Sequence, residues 1–270
     1  MVNGLPGNMA REIVKKALPD SRFCVIPYSL TGPDIDESSV KIDSLDISLI
    51  KPDKKDSFLS DHTELMQSVI VIDYTHPTAV DSNCQWYYTN HIHFVLGTTG
   101  GNREQIIRAV KSSDICAVIA PNMGKQIVAF QAMMAFLAKE YPSLFNGYTM
   151  EITESHQRGK ADISGTARSL IPDFQKMGID VHEHDIFMER NPEIQHHQLG
   201  VPEQFLDGHA WHTYTLVSDD QTVTFQFTHN VNGRSVYVQG TLDAVRYLNQ
   251  KVMEKNQGQV YSMVDVLKGI

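Results

Sequence analysis

Short apolar blocks alternate with segments of helical spacing through the first half of the chain. Phe23-Cys24-Val25-Ile26, Val69-Ile70-Val71-Ile72, His93-Phe94-Val95-Leu96 and Ala117-Val118-Ile119 are brief, mostly β-branched or aromatic, and apolar almost throughout. Strands buried on both faces of a parallel sheet have this pattern. Between them, Met9, Ile13 and Ala17, then Ile106, Ile107 and Val110, recur at helical intervals. Pro77 suits the first turn of a helix running to Tyr88. Strands and helices in alternation with short connections predict βαβ units and a doubly wound sheet. A long helix is predicted from about Lys125 to Tyr141, with Ile127, Phe130, Met134 and Leu137 on one face.

The pattern then changes. Tyr148, Met150 and Ile152 alternate with polar residues, as in a strand buried on one face only. Leu170, Ile171, Phe174 and Met177 repeat at helical spacing, and Gly178 is placed to end that helix. Runs at 181–189, 211–217 and 222–229 read as strands, the last two as a hairpin around Ser218-Asp219-Asp220-Gln221. Arg234–Val238 reads as a further strand, and Leu242, Val245 and Val252 mark a final long helix. The fold class is therefore α/β: an N-terminal Rossmann-like parallel-sheet domain, then an α+β domain with a mostly antiparallel mixed sheet.

With 270 residues, 41% of them hydrophobic, the chain has enough core for one large or two ordinary domains. A formal charge of −9 and the lack of a Lys/Arg run argue against a nucleic-acid partner. No apolar run approaches the roughly 20 residues of a membrane span. Cys24, Cys84 and Cys116 are far apart and form no CxxC pair, which suits a reducing compartment. With no signal- or transit-peptide pattern at the start, the expected location is cytoplasmic, or the plastid stroma if a leader has been removed.

Val2-Asn3-Gly4-Leu5-Pro6-Gly7-Asn8-Met9 places Gly-x-x-Gly before a helix. Glycines allow a tight turn and close approach of a pyrophosphate, and the helix start offers unpaired N–H groups. The motif is common in ordinary turns, and only Met1 and Val2 remain to form the strand before it. Gly97-Thr98-Thr99-Gly100 and Ala120-Pro121-Asn122-Met123 follow later strands and belong to the same carboxyl edge, where cofactors bind in such sheets. The second strand is read as ending Ile26-Pro27-Tyr28-Ser29, without the carboxylate that holds an NAD ribose. Of NADPH and NADH, this leans slightly to NADPH, although no arginine follows to grip a 2′-phosphate.

Glu154-Ser155-His156-Gln157-Arg158-Gly159-Lys160 leads out of a strand, and Ser164-Gly165-Thr166 opens a helix. A solvated surface loop is the plain reading of the basic residues. A capped helix start beside His156 and Lys160 also makes an anion site suited to a carboxylate, with Lys160 as a possible proton donor. Ser164 lies in no Gly-x-Ser-x-Gly elbow, so nucleophilic hydrolysis is not indicated. His182 and His184 share a strand face if 181–189 is a strand, and His196-His197 and His209 with His212 add imidazoles. No HExxH or Cys/His set organises them, and no metal is expected.

At these residues the chain resembles the 4-hydroxy-tetrahydrodipicolinate (dihydrodipicolinate) reductases, most closely their plant-type branch. The resemblance covers essentially the whole chain through VNGLPGNM (2–9), VIDYTHPTAV (71–80), VLGTTGG (95–101), PNMGKQ (121–126), ESHQRGKADISGTA (154–167), GHAWH (208–212) and HNVNGRSVYVQGTLDAV (229–245). The bacterial pattern has two adjacent histidines, then Lys and Pro-Ser-Gly-Thr-Ala. Here Gln157 replaces the second histidine and the proline position is missing, as in the plant-type pattern. The resemblance implies a dinucleotide-binding domain at 1–122, rejoined by 240–270, and a substrate-binding and oligomerisation domain at 123–239, commonly a homotetramer. It implies that Gly4, Leu5, Pro6, Gly7, Asn8, Met9, Gly97, Thr98, Thr99, Ala120, Pro121, Asn122 and Met123 line NADPH or NADH. His156 and Lys160 are then the catalytic pair, and Gln157, Lys160, Ser164, Gly165 and Thr166 hold a small dicarboxylate substrate. Arg234 is a weaker candidate for supporting that end, and Arg158 is expected to be solvent-exposed without a role. The implied reaction is NAD(P)H-dependent reduction of 4-hydroxy-tetrahydrodipicolinate to tetrahydrodipicolinate with loss of water, in diaminopimelate/lysine biosynthesis. The rival readings are a sibling reductase of another small carboxylate and a non-catalytic dinucleotide sensor.

Overall fold

The structure is a computed structural model and describes residues 1–269. The chain divides into two compact units, Met1–Lys125 together with the segment from Tyr237 onward, and Gln126–Val236. The first unit runs through β1 (Val2–Asn3), α1 (Asn8–Ala17), β2 (Tyr28–Leu30), β3 (Ser39–Ile42), β4 (Leu45–Ile50), α2 (Lys55–Asp61) and α3 (Thr63–Ser68). It continues through β5 (Ile70–Asp73), α4 (Val80–Thr89), β6 (His93–Leu96), α5 (Arg103–Lys111) and β7 (Cys116–Ile119). The second is built mainly from α6 (Lys125–Glu140), β8 (Tyr148–His156), α7 (Gly165–Lys176), β9 (Ile186–Glu189), α8 (Pro192–His197), β10 (His209–Ser218) and β11 (Thr224–Asn232). The chain returns to the first unit through α9 (Ser235–Met253), β12 (Gln259–Tyr261) and α10 (Met263–Lys268).

The main sheet of the first unit is five-stranded in the order β1-β5-β6-β7-β12, and every neighbouring pair is parallel. Its strands are apolar because both faces are covered. Val71 packs among residues of α4 and α5, whereas the adjacent Ile72 packs among residues of α1 and α9. Side chains alternate across a strand, so consecutive residues serve the two cores, each burial stabilising by roughly 1.5–3 kcal/mol. In α1 the buried Ala10, Ile13, Val14 and Ala17 form the expected stripe, and Lys15 and Lys16 complement the dipole at its end. β1 is only two residues long, yet both are buried and pair with Ile72 and Asp73.

The second unit carries a four-stranded sheet, β11-β10-β8-β9, antiparallel except for the β8–β9 pair. Ala167, Leu170, Ile171 and Phe174 of α7, with Met134 and Ala138 of α6, pack with Ile152, Tyr214, Leu216 and Ile186 of the sheet. Among the described residues, no helix is long and apolar enough to cross a membrane.

Three strand expectations are corrected. Phe23–Ile26 is not a strand; Ile26 is buried, but the segment has no regular structure and runs into Pro27, which has no N–H for a ladder. The strand is β2, which pairs in parallel with β4 in a separate sheet of order β2-β4-β3 that apolar patterning left unread. It therefore ends at Leu30 and leads into Thr31, rather than ending at Ser29. Residues 181–185 include a 3₁₀ turn, Glu183–Asp185, leaving only Ile186–Glu189 as strand. Residues 235–238 open α9 instead of forming a strand. Their β-branched and aromatic character is overridden by burial of Val238, Thr241, Leu242 and Leu248 along one helical face. Arg234 accordingly lies exposed in the turn before a helix, not on a strand.

Candidate active site

The three loops singled out in the first unit follow β1, β6 and β7, at the carboxyl ends of strands in one parallel sheet. Gly4 has φ +104°, and a Cβ there would fall 2.2 Å from the Tyr74 carbonyl oxygen. The turn closes when Gly7 N donates to Gly4 O at 2.8 Å. Helix α1 then starts with no side-chain cap and no acidic residue in its first turn, which suits an anionic pyrophosphate. Tyr74 also packs against Gly97, where a Cβ would lie 2.3 Å from its ring, and its hydroxyl bonds Thr241 Oγ1 at 2.8 Å.

Beneath these loops lies a polar network that hydrophobic patterning does not reveal. Asp73, fully buried, accepts from Tyr87 Oη at 2.6 Å, Thr75 Oγ1 at 2.7 Å, Thr75 N at 2.9 Å and Thr98 Oγ1 at 3.0 Å. Asn3 donates to Tyr87 Oη at 2.9 Å and accepts from Leu30 N at 2.8 Å. Burial and the Asp73 carboxylate keep the Tyr87 phenol protonated, raising its pKa well above the usual value. The network fixes the ends of β1, β2, β5 and β6 relative to one another. It also sorts the expected cofactor residues. Leu5, Ala120 and Met123 are buried and can offer a ligand only backbone, and the Thr98 hydroxyl is held by Asp73. Gly7, Asn8, Thr99 and Pro121 are exposed, while Gly4, Pro6, Met9, Gly97 and Asn122 are half-buried.

In the second unit, His156 is the last residue of β8 and Ser164 the N-cap of α7, so residues 157–163 are the loop between them. Ser164 Oγ accepts from Thr166 N at 3.2 Å, and Ser164 N donates to Glu154 Oε2 at 2.8 Å. A Cβ built on Gly165 meets nothing within 4 Å, so the space at the start of α7 is open. Gln157, Lys160 and Thr166 are half-buried, and Arg158 is exposed, as the sequence suggests.

His156 is 6% exposed, with Nδ1 buried and unpartnered, 3.7 Å from Glu154 Oε1. Burial first, then the charges of Arg190 and Lys160, push its pKa down to about 3. It is thus neutral at physiological pH. Its ring meets His212 edge-on at 5.0 Å, and His212 stacks on His229 at 4.6 Å. Both nitrogens of His212 and of His229 are buried without partners, and burial lowers both pKa values, His229's to about 4. Glu154, His156 and His212 have ligand-type atoms within 4.8 Å of one another. Within this group Glu154 is already occupied at both oxygens, by Ser164 N and by the Arg190 guanidinium. His182, His184 and Asp185 form a second group, exposed on the 3₁₀ turn. Arg190 and Gln195 had no legible signal in sequence, and Glu154 and His212, though they lie in quoted stretches, had no sign of their partners, because the four meet only when β8, β9, α8 and β10 assemble.

Comparisons with known proteins establish the family. The N-terminal dihydrodipicolinate reductase family model matches residues 1–123 and the C-terminal one residues 127–267. A 4-hydroxy-tetrahydrodipicolinate reductase 1, chloroplastic, of Arabidopsis thaliana is 41% identical over 99% of this chain and 77% of its own length. A probable 4-hydroxy-tetrahydrodipicolinate reductase 2, chloroplastic, of rice (Oryza sativa subsp. japonica) is 39% identical over 99% of this chain and 82% of its own. A solved dipicolinate-bound dihydrodipicolinate reductase from Paenisporosarcina sp. TG-14 shares the fold with a TM-score of 0.63 at 17% identity, covering 98% of this chain and 97% of that one. The chain belongs to the dihydrodipicolinate reductase family.

Proposed function

We propose that the chain reduces 4-hydroxy-tetrahydrodipicolinate to tetrahydrodipicolinate with loss of water, using the loop between β8 and α7 as its substrate and proton-transfer site. That it is a reductase of diaminopimelate/lysine biosynthesis with a nicotinamide cofactor follows from its family. The observation that carries the site reading is the open, capped start of α7, whose cap Ser164 follows Lys160 closely in the same loop, in a chain whose formal charge is −9.

Gly165, Thr166 and Lys160 hold the substrate's carboxylates there, with Gln157 flanking them and Ser164 acting through its cap. A nicotinamide held in the first unit would supply the hydride that C4 takes up once water has left that position. His156, being neutral, accepts or orients hydrogen bonds, so Lys160 is the group that delivers the compensating proton. The amides of Asn8 and Met9, at the start of α1 on the Gly4–Gly7 turn, hold the cofactor pyrophosphate, with the backbone of 97–99 and 120–123 along the same edge. NADPH is favoured over NADH, because β2 leads into Thr31 and offers no carboxylate against a 2′-phosphate. The second-unit sheet is the surface of a homotetramer; Phe187, Met188, Val223 and Phe225 stand exposed on or beside its edge strands. The plant relatives' names support the plastid stroma, and a cytoplasmic location is the alternative.

Purified protein with NADPH, pyruvate, aspartate semialdehyde and the synthase that condenses them tests the reading. Oxidation of NADPH that depends on the synthase supports it. Oxidation with the semialdehyde alone points to a sibling reductase, and cofactor binding without turnover to a sensor.

A further inference from the structure

Arg190, between β9 and α8, ties the loop that carries Lys160 to the ends of β8 and β9. Its Nε donates to the Lys160 carbonyl oxygen at 2.9 Å. Its Nη2 pairs with Glu154 Oε1, and its Nη1 donates to the carbonyl oxygens of Glu189 at 3.0 Å and Glu154 at 3.3 Å. Glu154 is completely buried and carries the same constraint onward through Oε2 to Ser164 N, the cap of α7. Gln195, also completely buried, donates to the carbonyl oxygens of His156 at 2.7 Å and Glu189 at 3.0 Å. The loop is therefore pinned at its start, middle and end by one guanidinium, one carboxylate and one amide.

We propose that Arg190 is a positioning residue for the reduction, setting the place of Lys160 against the anion site at the start of α7 through the Lys160 carbonyl and Glu154. The chemistry needs the planar fork. A lysine can keep the charge beside Glu154, but its single ammonium cannot reach the Lys160 carbonyl, both neighbouring carbonyls and the carboxylate together. Misplacing a catalytic group by about 1 Å costs on the order of 100-fold in rate. The guanidinium also faces a cavity of about 530 Å³ lined by Arg158, Asn191, Pro192 and Glu193, so one side of it is open to small molecules.

This inference rests on Lys160 being the proton donor, and a double-mutant cycle separates the two ideas. Arg190→Lys, Lys160→Ala and the double variant are assayed in the synthase-coupled reaction, with circular dichroism to confirm folding. Arg190→Lys alone is expected to lower kcat about 100-fold with the KM for NADPH unchanged. In the Lys160→Ala background the same change is expected to cost less than about 3-fold, since the group it positions is gone. Equal losses in both backgrounds overturn the positioning role while leaving Lys160 as the donor. A Lys160→Ala variant with wild-type kcat overturns both. If Arg190→Lys does not fold, Arg190→Ala with added methylguanidine decides. Saturable rescue of kcat is expected with Lys160 present and none with Lys160→Ala, and absence of rescue in folded protein counts against the proposal.

Discussion

At the scale of single residues, the imidazoles of His156, His212 and His229 are neutral because they are buried, although His156 stands at the edge of the site. In an unfolded chain each titrates near pH 6.5. In the folded protein they resist protonation down to about pH 4 for His229 and about pH 3 for His156, and His212 is also shifted well down. As the pH falls below about 6.5 the unfolded state takes up protons that the folded state refuses. The stability present above that pH is therefore lost progressively toward pH 4. Calorimetric Tm values should fall from pH 7.5 to pH 4.5, and His212→Leu should make that fall shallower, because it removes one such group and two unpartnered nitrogens. An equally steep fall in the variant contradicts the assignment. His156, Lys160 and the Ser-Gly-Thr cap were legible because they are local: a basic cluster followed at once by a helix start. Arg190 was not, since nothing in Met188-Glu189-Arg190-Asn191 distinguishes a guanidinium aimed inward from one in solvent.

At the scale of elements, two glycines respond to opposite constraints. Gly240 lies within α9, where a Cβ would come 1.7 Å from the Met123 carbonyl oxygen. Backbone cannot yield as a flexible side chain can, so Gly240→Ala should cost about 3 kcal/mol and lower Tm by roughly 5–10 °C. Gly165, with open space before it, should accept alanine with Tm almost unchanged. Even so, Gly165→Ala should raise the KM for the dicarboxylate several-fold, by placing a methyl where the anion approaches. A normal KM removes the start of α7 from the substrate site. The same contrast explains which elements the sequence revealed. Strands with both faces buried, β5, β6 and β7, announced themselves as apolar runs, and the β10–β11 hairpin by its turn. β3 and β12 are mostly exposed or half-buried and lack that contrast, so they passed unread. The start of α9 was misread because its β-branched residues match a strand over five positions and reveal the helix only over fifteen.

At the scale of the whole molecule, the division of labour follows the chain path: a parallel-sheet unit that α9, β12 and α10 complete, and a mixed-sheet unit between them carrying the basic loop. Light scattering on the purified protein should return four chains of 30.4 kDa, and a monomer would refute the proposed assembly. Two alternating halves were visible in the hydrophobic pattern, but the side sheet β2-β4-β3 was not, because its parallel β2–β4 pair joins segments with no shared periodicity. The central claim is that the substrate unit performs proton transfer through Lys160 while the cofactor is held elsewhere. Its most direct test is Lys160→Ala, measured for kcat in the synthase-coupled assay and for the Kd of NADPH by fluorescence. The prediction is a kcat lower by about 100-fold or more with an unchanged Kd; a retained kcat, or a Kd that collapses with it, would contradict the claim.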